Sequence, residues 1–117
     1  MFNLNQTIII QTELDALHKY VNAPKEVEYL KNIHRHLFKI CVEMEVFHDD
    51  RELEFIIVKH DLNEWLNNKY QMKEVASCEQ IANDICDYLT QSYGATRRVI
   101  CTVLEDGENG GKVYYGF

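Results

Sequence analysis

The sequence holds a single proline, Pro24, and only five glycines in 117 residues. It has no Pro/Gly/Ser-rich stretch to serve as a linker, no low-complexity tract and no repeat of solenoid length. The whole chain, 1–117, therefore reads as one domain, long enough to bury a core without staples. Basic residues are scarce. Twelve Lys and Arg against nineteen Asp and Glu give a formal charge of −7, which repels a phosphate backbone and leaves no basic footprint for nucleic acid. No run approaches the ~18 consecutive apolar residues of a membrane span, so no membrane partner is expected. The N-terminus has neither the cationic start nor the apolar stretch of a signal peptide, and Cys41, Cys78, Cys86 and Cys101 form no CxxC pair. Reduced thiols in a cytoplasmic protein are the expectation, with small-molecule chemistry as the class of function left standing.

What is present is periodicity. From Thr7 to His18 one alternate set runs Ile8, Ile10, Thr12, Leu14, Ala16, His18, the mark of a long half-buried strand. Phe38, Ile40, Val42, Met44 and Val46 repeat the pattern, and Asp49-Asp50 reads as a turn into a further strand over Leu53–Val58. Asp61 with Glu64 suits the start of a short helix ending near Tyr70, with Leu62, Trp65, Leu66 and Lys69 on one side. Ser77 with Gln80 forms a second capping box. It opens a helix with the stripe Cys78, Ile81, Ala82, Ile85, Cys86, Leu89, Tyr93, closed by Gly94. Val99–Glu105 and Lys112–Tyr115 read as two strands around a glycine-rich turn over Asp106–Gly111. The expected order is ββααββ: an α+β domain with a four-stranded antiparallel sheet and two helices on one face. Its open sheet edges call for self-association.

Five histidines are present, and three share a phase. His18 closes the first strand, while His34 and His36 open the second and point to one face because they are two apart. If these strands pair antiparallel, three imidazoles meet at one end of the sheet, the donor set of a catalytic zinc site with an open fourth position. The competing reading is that histidines on an apolar face are satisfied core residues, and an HxH pair by itself is a weak signal. His48, beside Asp49-Asp50, and His60, beside Asp61, read as solvated.

The segments "ELDALH", "HRHLFKICVEMEV", "VKHDLNEWL", "SCEQIANDI" and "VICTVLEDGENGGKVYY", taken in this order, resemble the 6-pyruvoyl- and 6-carboxytetrahydropterin synthases over nearly the whole chain. The resemblance implies the tunnelling fold (T-fold), assembled into a ring-shaped homo-oligomer, trimer or hexamer. It implies zinc on His18, His34 and His36, with Arg35 in place of the glycine of the family's HGH motif. It also implies that Glu105 grips the guanidine-like edge of a pterin ring, and it matches Ser77, Cys78 and Glu79 to the family's PTSE-like helix start. The implied activity is that of a lyase on dihydroneopterin triphosphate or a related pterin.

Departures stand beside the matches. Leu30 occupies the place of the family's cysteine base, and Asn67–Ala76 contains neither member of its Asp-His couple. Glu28, or Glu26 in the same loop, and Cys78 at a helix N-terminus are the candidates to replace the missing base. For the two glutamates the plainer reading is solvated charge on a short turn after Pro24. For Cys78 it is a small packing residue. A protein that binds zinc and a pterin or deazapurine precursor without turnover is the alternative function.

Overall fold

The computed structural model describes residues 5–75 and 77–117. Residues 1–4, on which the reading of the N-terminus partly rests, and Ala76, the last residue of the inter-helix segment, lie outside the described residues. The chain runs β1 (Thr7–His18), a short 3-10 helix (Lys25–Lys31), β2 (His34–Glu45), α1 (Phe55–Tyr70), β3 (Glu74–Val75), α2 (Cys78–Tyr93), β4 (Val99–Glu105) and β5 (Asn109–Tyr115). The fold is α+β, with one sheet in the order β3-β1-β2-β4-β5.

Alternation decides which face of the sheet is buried. Ile10, Leu14 and Ala16 of β1, Phe38, Ile40, Val42 and Met44 of β2 and Val99, Cys101 and Val103 of β4 are all at most 2% exposed and form one cluster. Val58, Leu62 and Leu66 of α1 and Ile81, Ala82, Ile85 and Leu89 of α2 close over it, so both helices cover the same face. Each buried Leu, Ile, Val or Phe contributes ~1.5–3 kcal/mol, enough for the shared cluster to fix the register of every long strand. The opposite face carries charge, including the pairs Lys39–Glu13 and Arg35–Asp15, each at 2.6 Å.

Four details differ from the sequence reading. Leu53–Val58 is not a strand: α1 begins at Phe55, capped by Glu54, whose carboxylate accepts from the Ile56 N–H. Both neighbours of β2 are already taken, by β1 and β4. The buried set Val58, Leu62, Leu66, Tyr70 is instead one helical stripe that crosses the expected boundary. Asp61 is accordingly not a cap but a mid-helix residue, and its carboxylate accepts from Tyr93 Oη at 2.8 Å. The sheet has five strands rather than four and is mixed, because β3 pairs parallel with Leu17 and His18. The last hairpin is tighter than expected, with its turn confined to Asp106, Gly107 and Glu108 and β5 starting at Asn109. The helix opened by Ser77, whose hydroxyl accepts from Gln80 N–H, is as the sequence indicated. Cys41, Cys78, Cys86 and Cys101 are free thiols. Among the described residues no helix is long and apolar enough to cross a membrane.

Candidate metal centre

Register brings the three histidines together. β1 and β2 pair antiparallel from Thr7↔Glu45 to His18↔His34, so the last residue of one strand lies opposite the first of the other. His36 is one pleat further along the same face. β4 pairs with β2 so that Glu105 stands opposite Phe38, beside His36 and on the face shared by all three imidazoles. One ring nitrogen from each histidine lies within 4.8 Å of the others.

The nitrogens that converge have no hydrogen-bond partner. His18 Nδ1, His34 Nε2 and His36 Nε2 are buried atoms without a hydrogen bond. Two tautomers follow from the groups on the far side of the rings. His34 Nδ1 is 2.7 Å from the Asn32 carbonyl, which can only accept, so that nitrogen carries the proton. His36 Nδ1 is 2.7 Å from Asp106 Oδ2 and donates to it. In the neutral rings both Nε2 atoms are then bare lone pairs aimed at one another. Charging the rings together would set like charges within 4.8 Å, at about 3 kcal/mol per pair for an effective dielectric of ~20. A cation with nitrogen affinity removes both difficulties, and a ring held by a carboxylate or carbonyl through its other nitrogen is the usual support of a zinc-ligating histidine.

Asp106 is held in place by the turn that follows β4. Asp106 and Gly107 have φ of 54° and 75°, the left-handed pair of a tight hairpin that an Asp-Gly sequence favours. This bend turns the Asp106 carboxylate back toward β2, where it also accepts from the Leu37 N–H at 3.0 Å. The His36 contact, followed by that of Leu37, keeps the carboxyl below the usual aspartate range. Asp106 and the Asn32 carbonyl are the supporting groups that the sequence reading missed. The Asp-Gly dipeptide immediately after Glu105 was the available signal for the first.

A cavity of 750 Å³ adjoins the histidines, lined by His18 and Glu105 together with Ser77, Cys78, Glu79 and Glu74. Glu79 fits there because residue 111 is glycine: a Cβ on Gly111 would lie 2.5 Å from the Glu79 carboxylate. The carboxylates face one lysine, Lys19, which is itself 3.4 Å from Glu74. A hollow of 790 Å³ between β1 and α1 contains the Glu13–Lys39 pair and none of the histidines.

The candidates for the missing base fare unequally. Cys78 lines the cavity, but burial, reinforced by the charges of Glu105 and Glu79, pushes its thiol up to about 11, so at neutral pH it holds its proton. Glu26 and Glu28 are exposed on the 3-10 helix and line no part of the cavity. The loop itself reaches the rim, since the Leu30 carbonyl accepts from the N–H of Tyr20, a lining residue. Cys41 lies on the charged face, away from the histidines. His48 and His60 are exposed, the latter beside Asp61 and Glu64 on α1. Comparison with protein-family models and with curated proteins finds no match to this chain.

Proposed function

We propose that this chain is a zinc-binding protein of the tetrahydropterin synthase kind, acting as a lyase on a dihydropterin bound in the cavity beside the histidines. The observation that carries the reading is the convergence, within 4.8 Å of one another, of three ring nitrogens without a hydrogen bond, His18 Nδ1, His34 Nε2 and His36 Nε2, beside a cavity that His18 lines. Zn²⁺ held there would act as a Lewis acid on an oxygen of the substrate side chain. Glu105 and Glu79 offer acceptors to the donor edge of a ring, and Ser77 offers a hydroxyl. Among the described residues the acidic lining supplies no free counter-charge for phosphates, which favours a pterin without them over dihydroneopterin triphosphate.

A second reading is binding without turnover, and one observation favours it: apart from His18 of the metal centre and Lys19, which pairs with Glu74, the described residues lining the cavity include no base beyond carboxylates. The only thiol there is protonated, while Glu26 and Glu28 stand elsewhere. Zinc-loaded protein incubated with dihydroneopterin and with its triphosphate, the products followed by mass, separates these outcomes. Side-chain loss or rearrangement supports the lyase, and saturable binding without product supports the second reading. Absence of both removes the pterin assignment.

Self-association completes the proposal. The outer edge of β1 is covered by β3 only at Leu17 and His18. Beside it Ile9, Phe55, Ile56 and Ile57 are 53–68% exposed. An open edge with an apolar flank suits pairing with a second copy, and the T-fold ring of three or six chains supplies it. Light scattering that finds a monomer at micromolar concentration contradicts this part.

A further inference from the structure

We infer that Glu105 supplies the fourth donor to the metal when no ligand is bound, so that the centre is His₃Glu and closed rather than His₃ and open. The inference rests on the metal reading above. Its observation is the spacing of the Glu105 carboxylate, with Oε1 3.4 Å from His18 Nδ1 and Oε2 3.5 Å from His36 Nε2.

Those distances separate two explanations. An imidazolium donating to a carboxylate sits at about 2.7–2.9 Å, and neither nitrogen makes a hydrogen bond here. Two donors bound to one tetrahedral zinc, each about 2.0–2.1 Å from the metal, are instead separated by roughly 3.3–3.4 Å. The Glu105 oxygens therefore stand from two histidines at the separation of ligands sharing an ion, although each is too distant to be bonded to the nitrogen directly.

Charge points the same way. The Glu105 side chain is 32% exposed, and among the described residues no N–H or O–H group donates to its carboxylate. Its nearest polar neighbours are His18 Nδ1 and His36 Nε2, and the tautomer that Asp106 sets on His36 makes the latter a lone pair. A half-buried carboxylate facing a lone pair is unfavourable without positive charge between them. One divalent cation satisfies all four groups together.

This assignment gives Glu105 two exclusive partners. The same carboxylate lines the cavity, so a ligand presenting a guanidine-like edge draws it off the metal with a two-pronged charge-assisted hydrogen bond. Ring recognition then vacates the coordination position that a substrate oxygen needs. A ligand without that edge leaves the centre closed.

The test compares the parent with Glu105→Gln, a nearly isosteric change that removes the anionic ligand. Zinc affinity is measured by competition with a chromophoric chelator, and infrared difference spectra are recorded as zinc is added to each apo protein. The expected results are an affinity lower by at least about tenfold in Glu105→Gln and a carboxylate-stretch shift on zinc addition that the parent shows and the variant lacks. Affinities within twofold, together with identical infrared differences, overturn the inference while leaving the three-histidine site standing. A parent that binds no zinc overturns both. The parent's infrared response needs no variant, so misfolding of Glu105→Gln would not protect the claim.

Discussion

The two ends of β2 handle buried polarity in opposite ways. At the Glu45 end acceptors meet donors. Glu45 takes both the backbone N–H and the guanidinium of Arg98, the latter at 2.6 Å. Arg97, 7% exposed, donates to the Glu45 and Tyr93 carbonyls and to both oxygens of Glu52. At the His34 end the lone pairs of His34 and His36, a nitrogen of His18 and the Glu105 carboxylate converge, and among the described residues no hydrogen bond satisfies the three ring nitrogens. A paired end stabilises the fold with what the chain itself contains. An unpaired end leaves its groups to be satisfied by something added, and under the proposed function its donors, nitrogen with one carboxylate, suit a borderline cation such as zinc.

The contrast is broken most severely by Arg97→Met. It leaves two inward-facing carbonyls without donors as well as unpairing Glu52, and unfolding in urea should show a loss of roughly 3 kcal/mol. Zinc affinity should not change. A variant as stable as the parent would mean that the paired end does not hold the fold.

Asp106→Asn acts on the other end and more gently. The amide cannot hold the His36 ring as a carboxylate does, and zinc should bind about tenfold more weakly, or ~1.4 kcal/mol. The stability of the metal-free protein should barely move. Unaltered zinc affinity would remove Asp106 from the centre.

The smallest effect concerns pH. Arg97, and then the Phe47 N–H, hold the Glu52 carboxyl at about 2, below its ordinary 4.5. A depressed carboxyl contributes stability that is complete above the unfolded value and drains away as pH falls toward the folded one. Between pH 4.5 and 2 the parent should therefore lose stability more steeply than Glu52→Gln. Parallel curves would show that the pair with Arg97 adds nothing.

Much of the fold was legible because burial on one face writes itself into a period of two. β1, β4 and the stripe of α2 could be read from apolar spacing alone, and the capping role of Ser77 from its spacing to Gln80. Phe55-Ile56-Ile57 misled for a physical reason. Aromatic and β-branched residues in a row favour a strand, yet here they lie on the exposed side of a helix whose buried stripe starts at Val58. β3 could not be read, since two residues carry no period and owe their pairing to where α1 ends. In the site, the common phase of His18, His34 and His36 was visible once antiparallel pairing was assumed. The Asn32 carbonyl was not, because a backbone acceptor has no sequence signature. The approach of Glu105 to the histidines depends on the offset between β2 and β4, which side-chain pattern fixes only to within a shift of two residues.

The most direct test is calorimetric titration of the metal-free protein with Zn²⁺, the parent beside the double variant His34→Ala/His36→Ala. The parent should take up about one zinc per chain, and the double variant should show no saturable site while its circular dichroism stays that of the parent. Stoichiometric zinc binding retained by the double variant, or none by the parent, would contradict the metal centre.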